Sequence, residues 1–192
     1  MMNVYDFDKT IYSGDSTKDF CRFCMRRHFS AVWRIAVSSP AIFGYIAGRL
    51  TKTETKQRLY SFLRTLSDVD RDVSEFWKQN EYKISPWYRE KKTPDDVVIS
   101  ASPEFLLKPV CEKLGIETLI ASRVDKNTGI YDGLNCHGEE KLKRYRQVFG
   151  DREISEFYSD SLSDAPLAEI AQKAFLVEKN RITPWPNGGR KQ

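Results

Sequence analysis

The stretch VYDFDKT, residues 4–10, places two carboxylates, Asp6 and Asp8, directly after a short apolar run. The apolar run predicts a buried strand, and the Gly and Ser residues of the following IYSGDS predict a loop. Taken alone, an acid pair after one strand is usually a turn or a helix cap. The alternative is a catalytic pair, and the rest of the chain decides between the two.

Length and composition describe a globular chain. Its 192 residues, 40% hydrophobic and 30% charged, can bury a proper core and are enough for one domain with an inserted second one. The net charge is +4, from 31 basic and 27 acidic residues. We expect this mild excess to be spread over a solvated surface, and we predict no nucleic-acid partner.

The four cysteines are expected to be free thiols. No segment resembles a secretory signal, so we predict a cytoplasmic protein in a reducing environment. Cys21, Cys24 and His28 are spaced loosely like part of a zinc site. Cys136 and His137 could supply further ligands, but buried small thiols are the default interpretation.

The most apolar window, residues 31–50, is not predicted to span a membrane. Arg34 and Pro40 interrupt it, so its uncharged part is shorter than the ~20 residues that a bilayer requires. Helical spacing of its apolar residues predicts a helix face kinked near Pro40. That face could line a site for a lipid-like or aromatic phosphate or form a dimer contact; cap core is the default interpretation.

Helical and strand patterns are segregated along the chain. Residues 15–88 carry aromatic and charged residues at helical intervals, whereas strands and helices alternate afterwards. This order predicts an α/β protein with a Rossmann-like parallel sheet core flanked by helices and an inserted all-helical cap domain. We expect the core to comprise residues 1–14 and 89–192 and the cap to comprise residues 15–88.

The individual elements after the insertion can also be predicted. Apolar runs predict strands in DVVIS, ETLIA, EISEFYSD and AFLVE. Helical periodicity predicts helices at residues 103–114, 139–149 and 165–172. Residues 120–137 are typical of a small hairpin excursion, and TPWPNGGRKQ is expected to be a tail.

Chemically useful residues follow the predicted strands, whose carboxyl ends meet at one edge of a parallel sheet. They are Asp6, Asp8, Ser100, Ala101, Ser102, Lys141, Asp160 and Asp164. Four carboxylates at one edge stay ionised at neutral pH only if positive charge lies among them. Mg²⁺, held by one or two carboxylates with waters and substrate phosphate, suits this set, and Lys141 adds a point charge.

The segment SASPEF predicts an anion site beside these acids. Ser102 is expected to cap a helix, with Pro103 as its first residue and Glu104 in its first turn. Free N–H groups at such a helix start bind anions. A metal, an anion site and a carboxylate indicate phosphoryl transfer, in which one acid attacks phosphorus and a second moves the proton.

In order and spacing, these segments resemble the motifs of the haloacid dehalogenase superfamily of phosphohydrolases. DFDKT resembles the first motif, Asp-x-Asp-x-Thr, VVIS the second, Lys141 the third and SDSLSD the acidic fourth. A helical insertion right after the first motif resembles the phosphoserine phosphatase-like branch with a helical cap. The second aspartate of DFDKT favours phosphate chemistry, because the dehalogenases do not use it.

The resemblance implies roles for the first and third motifs. Asp6 would be the nucleophile and a Mg²⁺ ligand. Asp8 would be the general acid and base and would offer its backbone carbonyl to the metal. Lys141 would bridge the phosphate and Asp6, and Thr10 would steady the phosphate-binding turn.

The second and fourth motifs would bind phosphate and metal. The resemblance implies that Ser100 binds phosphate with the help of the amide of Ala101 or Ser102. Asp160 would ligate Mg²⁺, and Asp164 would support the metal site indirectly.

The expected activity is that of a Mg²⁺-dependent phosphatase acting through an aspartyl phosphate on a small phosphorylated substrate, with lipid phosphates among the candidates. The alternatives are a phosphotransferase or phosphomutase of the same superfamily, or a catalytically silent phospho-ligand-binding protein. The substrate, the specificity residues of the cap and the oligomeric state stay open. Five cap arginines are candidates for a second anion contact, although a charged helix face is the default: Arg22, Arg26, Arg27, Arg34 and Arg49.

Overall fold

The computed structural model describes residues 2–186, which contain one six-stranded sheet. The strands are β1 (Asn3–Tyr5), β2 (Val97–Pro103), β3 (Thr118–Ser122), β4 (Ile154–Ser159), β5 (Ala171–Glu178) and β6 (Arg181–Pro184). Their order is β3-β2-β1-β4-β5-β6, and every pair is parallel except β5 with β6. The predicted parallel sheet is confirmed, with an antiparallel strand added at one edge.

Six α-helices lie between β1 and β2, and three follow β2 within the described residues. They are α1 (Ser16–Arg27), α2 (Phe29–Ser38), α3 (Ala41–Ile46), α4 (Lys52–Leu59), α5 (Val69–Asn80), α6 (Pro86–Lys91), α7 (Glu104–Leu114), α8 (Glu139–Phe149) and α9 (Ala165–Ile170). Short 3₁₀ helices occupy Tyr60–Thr65, Glu81–Lys83 and Leu162–Asp164. The long connection from β1 to β2 is therefore mainly helical, as its periodicity predicts.

Strand β1 is buried on both faces. Neighbouring side chains of a strand point to opposite faces, so Val4 and Tyr5 belong to two different hydrophobic clusters. Tyr145 of α8 belongs to the Val4 cluster, and Tyr88 of α6 meets the ring of Tyr5 at a centroid distance of 5.0 Å. Helices therefore cover both faces of the sheet and leave its carboxyl edge available for a site.

The inserted helices pack directly against the sheet and its helices. Trp77 of α5 donates a hydrogen bond from Nε1 to the carbonyl of Leu106 at 2.6 Å, and its ring lies edge-on to Phe7 at 5.9 Å. Both aromatic rings belong to the same cluster as Tyr5. Because the core is continuous here, the division of the chain after residues 14 and 88 stays a prediction.

The prediction that Ser102 caps the helix after β2 is wrong. Strand β2 continues through Pro103, which pairs with Ser122 of β3, and α7 begins at Glu104. Strand pairing keeps the backbone extended one residue further than the Pro signal indicates. The hydroxyl of Ser102 is thereby left free to contact Asp8 instead of the helix.

The C-terminal segment is also more ordered than predicted. Arg181–Pro184 form β6, and Trp185 is buried against Phe157 with ring centroids 6.1 Å apart. Proline is tolerated in an edge strand, so the prolines of TPWP do not exclude pairing. The predicted tail residues 187–192 lie outside the described residues.

Two other elements are shorter than predicted. The helix expected at residues 165–172 ends at Ile170, because the next residue begins β5, which pairs with β4. Of the hairpin expected at residues 120–137, the structure has a single antiparallel bridge between Val124 and Tyr131.

The apolar residues 29–46 form two helices, α2 and α3, separated at Ser39 and Pro40. By length and composition alone the segment qualifies as a membrane span, with a mean hydropathy of 1.2 and 11% of its residues buried, which is a weak indication. The default interpretation as cap core is wrong for much of this segment. Trp33 and Phe43, among others, are exposed.

Candidate active site

A cavity of about 650 Å³ opens at the carboxyl edge of the sheet, between that edge and helices α1 to α4. Its walls include seven residues predicted from the sequence: Asp6, Asp8, Ala101, Ser102, Lys141, Asp160 and Asp164. Strands β2, β1 and β4 are adjacent, so the residues that follow them meet at this edge. Side chains far apart in sequence therefore share one pocket.

Lys141, from the first turn of α8, is a buried cation held between two carboxylates. Its Nζ donates hydrogen bonds to Asp6 Oδ1 and Asp164 Oδ2, both at 2.6 Å. Burial works against the charged amine, but Asp6 and Asp164 raise the pKa of Lys141 above its usual value. The lysine therefore stays protonated, and charge-assisted bonds fix all three side chains.

Asp6 is the carboxylate whose protonation is most finely balanced. Burial raises the pKa of Asp6 to about 7, against the effect of Lys141 and with further contributions from Asp164 and Asp8. Lys141 occupies Oδ1, and no hydrogen bond among the described residues engages Oδ2. Further positive charge beside Oδ2 would keep Asp6 ionised at neutral pH.

Asp164 positions Lys141 through the hydrogen bond that Lys141 Nζ donates to it. Its Oδ2 also accepts a hydrogen bond from Ser159 Oγ, at the end of β4, at 2.7 Å. Its buried Oδ1 has no hydrogen-bond partner among the described residues. The Asp164 side chain makes no cap hydrogen bond to α9, although it stands at the N-cap position.

Asp8 is held by two donors. Its Oδ1 accepts from the backbone N–H of Ser16 at 2.6 Å, and its Oδ2 accepts from Ser102 Oγ. Ser16 is the first residue of α1, so the carboxylate lies at a helix N-terminus, which favours negative charge. Burial nevertheless raises the pKa of Asp8 against these bonds. A positioned carboxyl group with a raised pKa is suited to exchanging protons.

Asp160 follows β4 and forms an ion pair with an exposed lysine. Lys9 Nζ lies 3.3 Å from Asp160 Oδ2, and the Lys9 side chain is 61% exposed. Burial raises the pKa of Asp160, and Lys9 opposes that rise. An exposed lysine can leave its partner at little cost, so Asp160 is available to another cation.

Two predicted phosphate-site residues lie behind the cavity wall. Ser100 is buried, and its Oγ accepts from the N–H of Ser102 at 3.1 Å; it is not among the cavity-lining residues. Thr10 is buried too, and its Oγ1 has no partner within residues 2–186. Ala101 and Ser102 form the wall itself. A direct contact between Ser100 and phosphate stays a prediction.

Sequence reasoning missed two cavity lysines, Lys52 and Lys56, which lie one turn apart on α4. Lys56 Nζ donates to the carbonyl of Ala101 at 3.0 Å and to Asn135 Oδ1 at 2.9 Å. Burial and the neighbouring Lys52 lower the pKa of Lys56 to about 8. Neither lysine forms an ion pair within the described chain. The i,i+4 spacing in KTETK could have indicated their shared face.

Most of the cap arginines do not line the catalytic cavity. Of the five candidates, all in the described part of the chain, only Arg22 lines the cavity, and it pairs with Asp19 at 3.0 Å. Arg27 lies 3.7 Å from Asp72, and Arg34 and Arg49 line a separate groove. A charged helix face, the default interpretation, is the better description.

The side chains near Lys141 offer hard oxygen donors to a divalent cation. Within the described part of the chain Asp6 Oδ2 has no hydrogen bond, and Asp160 contacts an exposed lysine. Mg²⁺ prefers one or two carboxylates completed by waters and phosphate oxygens, so this donor set fits it. No group of three or more His, Cys, Asp or Glu side chains within residues 2–186 is arranged to hold a metal. The loose zinc pattern gains no support, since His28 bonds Asp72 at 2.9 Å.

The chain is an α/β protein with an aspartate pair after an inner strand of its sheet and a buried lysine between two carboxylates, an arrangement suited to an enzyme. The family model for haloacid dehalogenase-like hydrolases matches residues 4–169, and the chain belongs to that family. The resemblance drawn from the four motifs is thereby confirmed.

Relatives with known sequences differ in how much of the chain they match. Protein CicA of Caulobacter vibrioides is 26% identical over 94% of this chain and 88% of its own length. A probable phosphatase of Mycobacterium tuberculosis is 33% identical over 48% of this chain and 37% of its own length.

Solved structures share the fold. A protein of unknown function from Bordetella pertussis superposes with a TM-score of 0.75 at 20% identity, covering 90% of this chain and 87% of that one. A substrate-bound phosphoserine phosphatase superposes with a TM-score of 0.57 at 18% identity, covering 90% and 83%. The α/β core flanked by helices is therefore an architecture that other proteins have.

Proposed function

We propose that this chain is a Mg²⁺-dependent phosphatase that hydrolyses phosphomonoesters through an aspartyl phosphate. The observation that carries the proposal is Lys141, buried between Asp6 and Asp164 at 2.6 Å from each, with Asp8 held nearby. Membership of a hydrolase family supports it, as does the phosphatase named among the partial relatives.

The proposed reaction has two steps on Asp6. Asp6 attacks phosphorus as the ester bond breaks, and Asp8, whose pKa burial raises, acts in its protonated form and gives its proton to the leaving alcohol oxygen. Water then attacks the phosphorus of the acyl phosphate, Asp8 takes the water proton, and Asp6 and inorganic phosphate are released. Lys141 keeps Asp6 oriented in both steps and offsets charge on the phosphoryl oxygens.

Mg²⁺ would be held by the carboxylates of Asp6 and Asp160 and by the backbone carbonyl of Asp8. When bound, it supplies positive charge that neutralises the phosphoryl group and holds Asp6 ionised. Asp164 acts through Lys141 and is proposed as a positioning residue. Thr10, Ser100 and the amides beside Ala101 and Ser102 are proposed to shape and line the phosphate site.

Lys56 is proposed as the cap residue that contacts the substrate anion. Its bonds go to two neutral acceptors, and within the described chain it forms no ion pair, so Asp8 and Asp15 act on its charge only from a distance. A phosphate oxygen or a second anionic group would balance that charge directly and raise the lowered pKa of Lys56. From the sequence, five cap arginines were candidates for this contact, with a charged helix face as the default interpretation.

The cavity also favours a substrate with an apolar body. Its cap side is lined by Cys21, Met25, Ile35, Ile42 and Leu59, opposite the acids. A small polar phosphate would leave these side chains uncovered, whereas an aromatic or lipid-like phosphomonoester would cover them.

A cytoplasmic location stays a prediction.

Hydrolysis of an aryl phosphate tests the proposed function. We expect turnover with Mg²⁺, loss of turnover with EDTA, and a fall of at least ~10³-fold in Asp6→Asn, because the nucleophile is removed. Asp151→Asn, an exposed acid outside the cavity, is the matched control. Activity that persists in both EDTA and Asp6→Asn would refute the mechanism.

A panel of phosphate esters then separates the alternatives. Phosphoserine, sugar and nucleotide phosphates and lipid phosphates should be included, each with and without an added alcohol. Transfer of phosphate to that alcohol in preference to water would identify a phosphotransferase. Binding without turnover across the whole panel would identify a silent phospho-ligand-binding protein.

A further inference from the structure

Helices α2 and α3 expose an apolar surface that the fold leaves uncovered. On α2, Phe29, Trp33 and Val37 follow each other at i, i+4 and i+8, which places them on one face. Phe29 is 87% and Trp33 69% exposed, and on α3 Phe43 and Ile46 are each 75% exposed. We call these five residues the apolar surface.

Other residues of the same helices face the protein core or the catalytic cavity. Ala31 and Ala41 are buried, and Ile35 and Ile42 line the catalytic cavity. Helices α2 and α3 are therefore held to the protein by other residues, and the five residues of the apolar surface are not needed for that packing. Scattered exposed apolar residues need no explanation, but five on two consecutive helices indicate an interaction site.

Positive charge is concentrated in the chain segment that carries this surface, contrary to the expectation of an even spread. Residues 26–58 carry seven basic side chains and one acidic one, a formal charge of +6. Because the whole chain is +4, the remaining residues together carry −2. The excess positive charge of the protein therefore lies in the segment that also exposes the apolar surface.

Three of these cations share a groove beside the apolar surface. Arg34, Arg49 and Arg58 line a groove of about 520 Å³, and Val37 of the apolar surface lines it too. None of the three guanidinium groups has a hydrogen bond or ion pair within residues 2–186. Arg58 acts electrostatically on Glu54, whose carboxylate is already bonded to Thr51.

We propose that the apolar surface docks into the interface of an anionic lipid bilayer, with Arg34, Arg49 and Arg58 contacting lipid phosphate groups. Exposed aromatic and aliphatic side chains beside unpaired arginines have the composition of helices that lie in a membrane interface. The break at Ser39 and Pro40 and the charge of Arg34 favour helices that lie on the membrane over one that spans it.

The same charges disfavour two other occupants. A second copy docked face to face would bring Arg34, Arg49 and Arg58 of both copies together, which is repulsive. A nucleic acid would satisfy the arginines but would leave Phe43 and Ile46 exposed to water. An anionic bilayer satisfies both kinds of side chain, and docking would place the cap side of the cavity next to the lipid.

Vesicle binding of the full chain, in EDTA and without substrate, tests the docking. Vesicles of phosphatidylcholine with 30% phosphatidylglycerol are compared with pure phosphatidylcholine by sedimentation. Trp33 is the exposed tryptophan, since Trp77 and Trp185 are buried and Trp87 partly so; its emission should therefore shift to the blue on binding. We expect at least ~10-fold stronger partitioning to the anionic vesicles.

Paired variants keep the test specific. Phe43→Ser with Ile46→Ser, and Arg34→Gln with Arg49→Gln, should each reduce partitioning at least tenfold while aryl phosphate turnover is unchanged. The matched controls are Tyr82→Ser with Val148→Ser, two exposed apolar residues elsewhere, and Arg71→Gln with Arg146→Gln. The controls should bind vesicles like the wild type.

Several outcomes would overturn the proposal. They are equal binding to both vesicle types, loss of binding in the control pairs, and an unshifted Trp33 emission in the sedimented complex. Binding to duplex DNA but not to vesicles would favour a nucleic-acid partner. A concentration-dependent dimer that Phe43→Ser with Ile46→Ser abolishes, without vesicle binding, would favour a second copy. Because neither vesicle partitioning nor Trp33 emission needs catalysis, failure of the docking test leaves the proposed phosphatase activity untouched.

Discussion

The lysines on the two sides of the catalytic cavity differ in whether they form ion pairs. On the sheet side, Lys141 and Lys9 each lie against carboxylates. On the cap side, Lys52 and Lys56 have no carboxylate partner in the described chain, and Lys56 bonds neutral oxygens. The cations of the sheet side are therefore already paired with carboxylates, which outnumber them, whereas the cap side keeps positive charge available for an anion.

Replacing Lys141 should have the largest effect, because it removes the buried cation from the sheet side. In Lys141→Met, Asp6 and Asp164 remain buried without their counter-charge, which costs about 3–5 kcal/mol of unfolding free energy. Turnover should fall by at least ~10³-fold, since Asp6 loses its orientation. Urea denaturation and aryl phosphate kinetics measure the two effects.

Lys143→Met is the control for that loss. Lys143 lies on the same helix and is exposed, so its removal should change stability by no more than ~0.5 kcal/mol. If the two variants had the same stability, the buried Lys141 cluster would not have the importance assigned to it.

The sheet side is also the part that sequence reasoning predicts best. Apolar runs predict the strands, and the carboxyl ends of parallel strands meet at one edge of a sheet, so the convergence of the site could be predicted. Its members are Asp6, Asp8, Lys141, Asp160 and Asp164. Detailed contacts could not be deduced. Strand pairing, which extends β2 to residue 103, decides where the Ser102 hydroxyl points, and such pairing depends on residues distant in sequence.

Lys56→Gln should lower kcat/KM by about 10- to 100-fold, because it removes the unbalanced charge from the cap side. Stability should stay the same or rise, since burial of a cation without a counter-ion is unfavourable. Arg58→Gln, on the exposed face of the same helix, is the control and should leave soluble-substrate kinetics unchanged. An unchanged kcat/KM in Lys56→Gln would show that the cap charge is not used for the substrate.

The cap is the region that sequence reasoning predicts least well. Helical periodicity identifies the helices, but which face of each helix meets the cavity depends on how the helices pack together. The sequence therefore directed attention to the cap arginines, whereas Lys52 and Lys56 face the acids. The same uncertainty made residues 31–50 look like cap core, although much of that surface is exposed.

Without metal, the raised pKa of Asp6 should make the unfolding free energy fall as the pH rises. Folding raises the Asp6 pKa from 3.8 to about 7, so the folded state binds more protons than the unfolded one between these values. This contribution is present below pH ~4 and is lost as pH rises through 7. In EDTA, we expect the unfolding free energy of wild type to fall from pH 5 to 8 more steeply than that of Asp6→Asn.

Mg²⁺ should reduce that slope, because it binds the ionised form of the carboxylates. Asp151→Asn serves again as the control and should follow the wild-type curve. Parallel curves for wild type and Asp6→Asn in EDTA would contradict the raised pKa of Asp6.

Lys9→Met should have the smallest effect, although Lys9 also pairs with an acid of the site. The Lys9 side chain is 61% exposed and lies 3.3 Å from Asp160, and exposed pairs of this kind contribute roughly 0.2–1 kcal/mol. We expect kcat/KM to change by less than ~3-fold at saturating Mg²⁺, and wild type in high salt to approach the variant because salt screens the pair. A loss as large as that of Lys141→Met would mean that the exposed lysine, and not burial between two carboxylates, sets the charge balance of the sheet side.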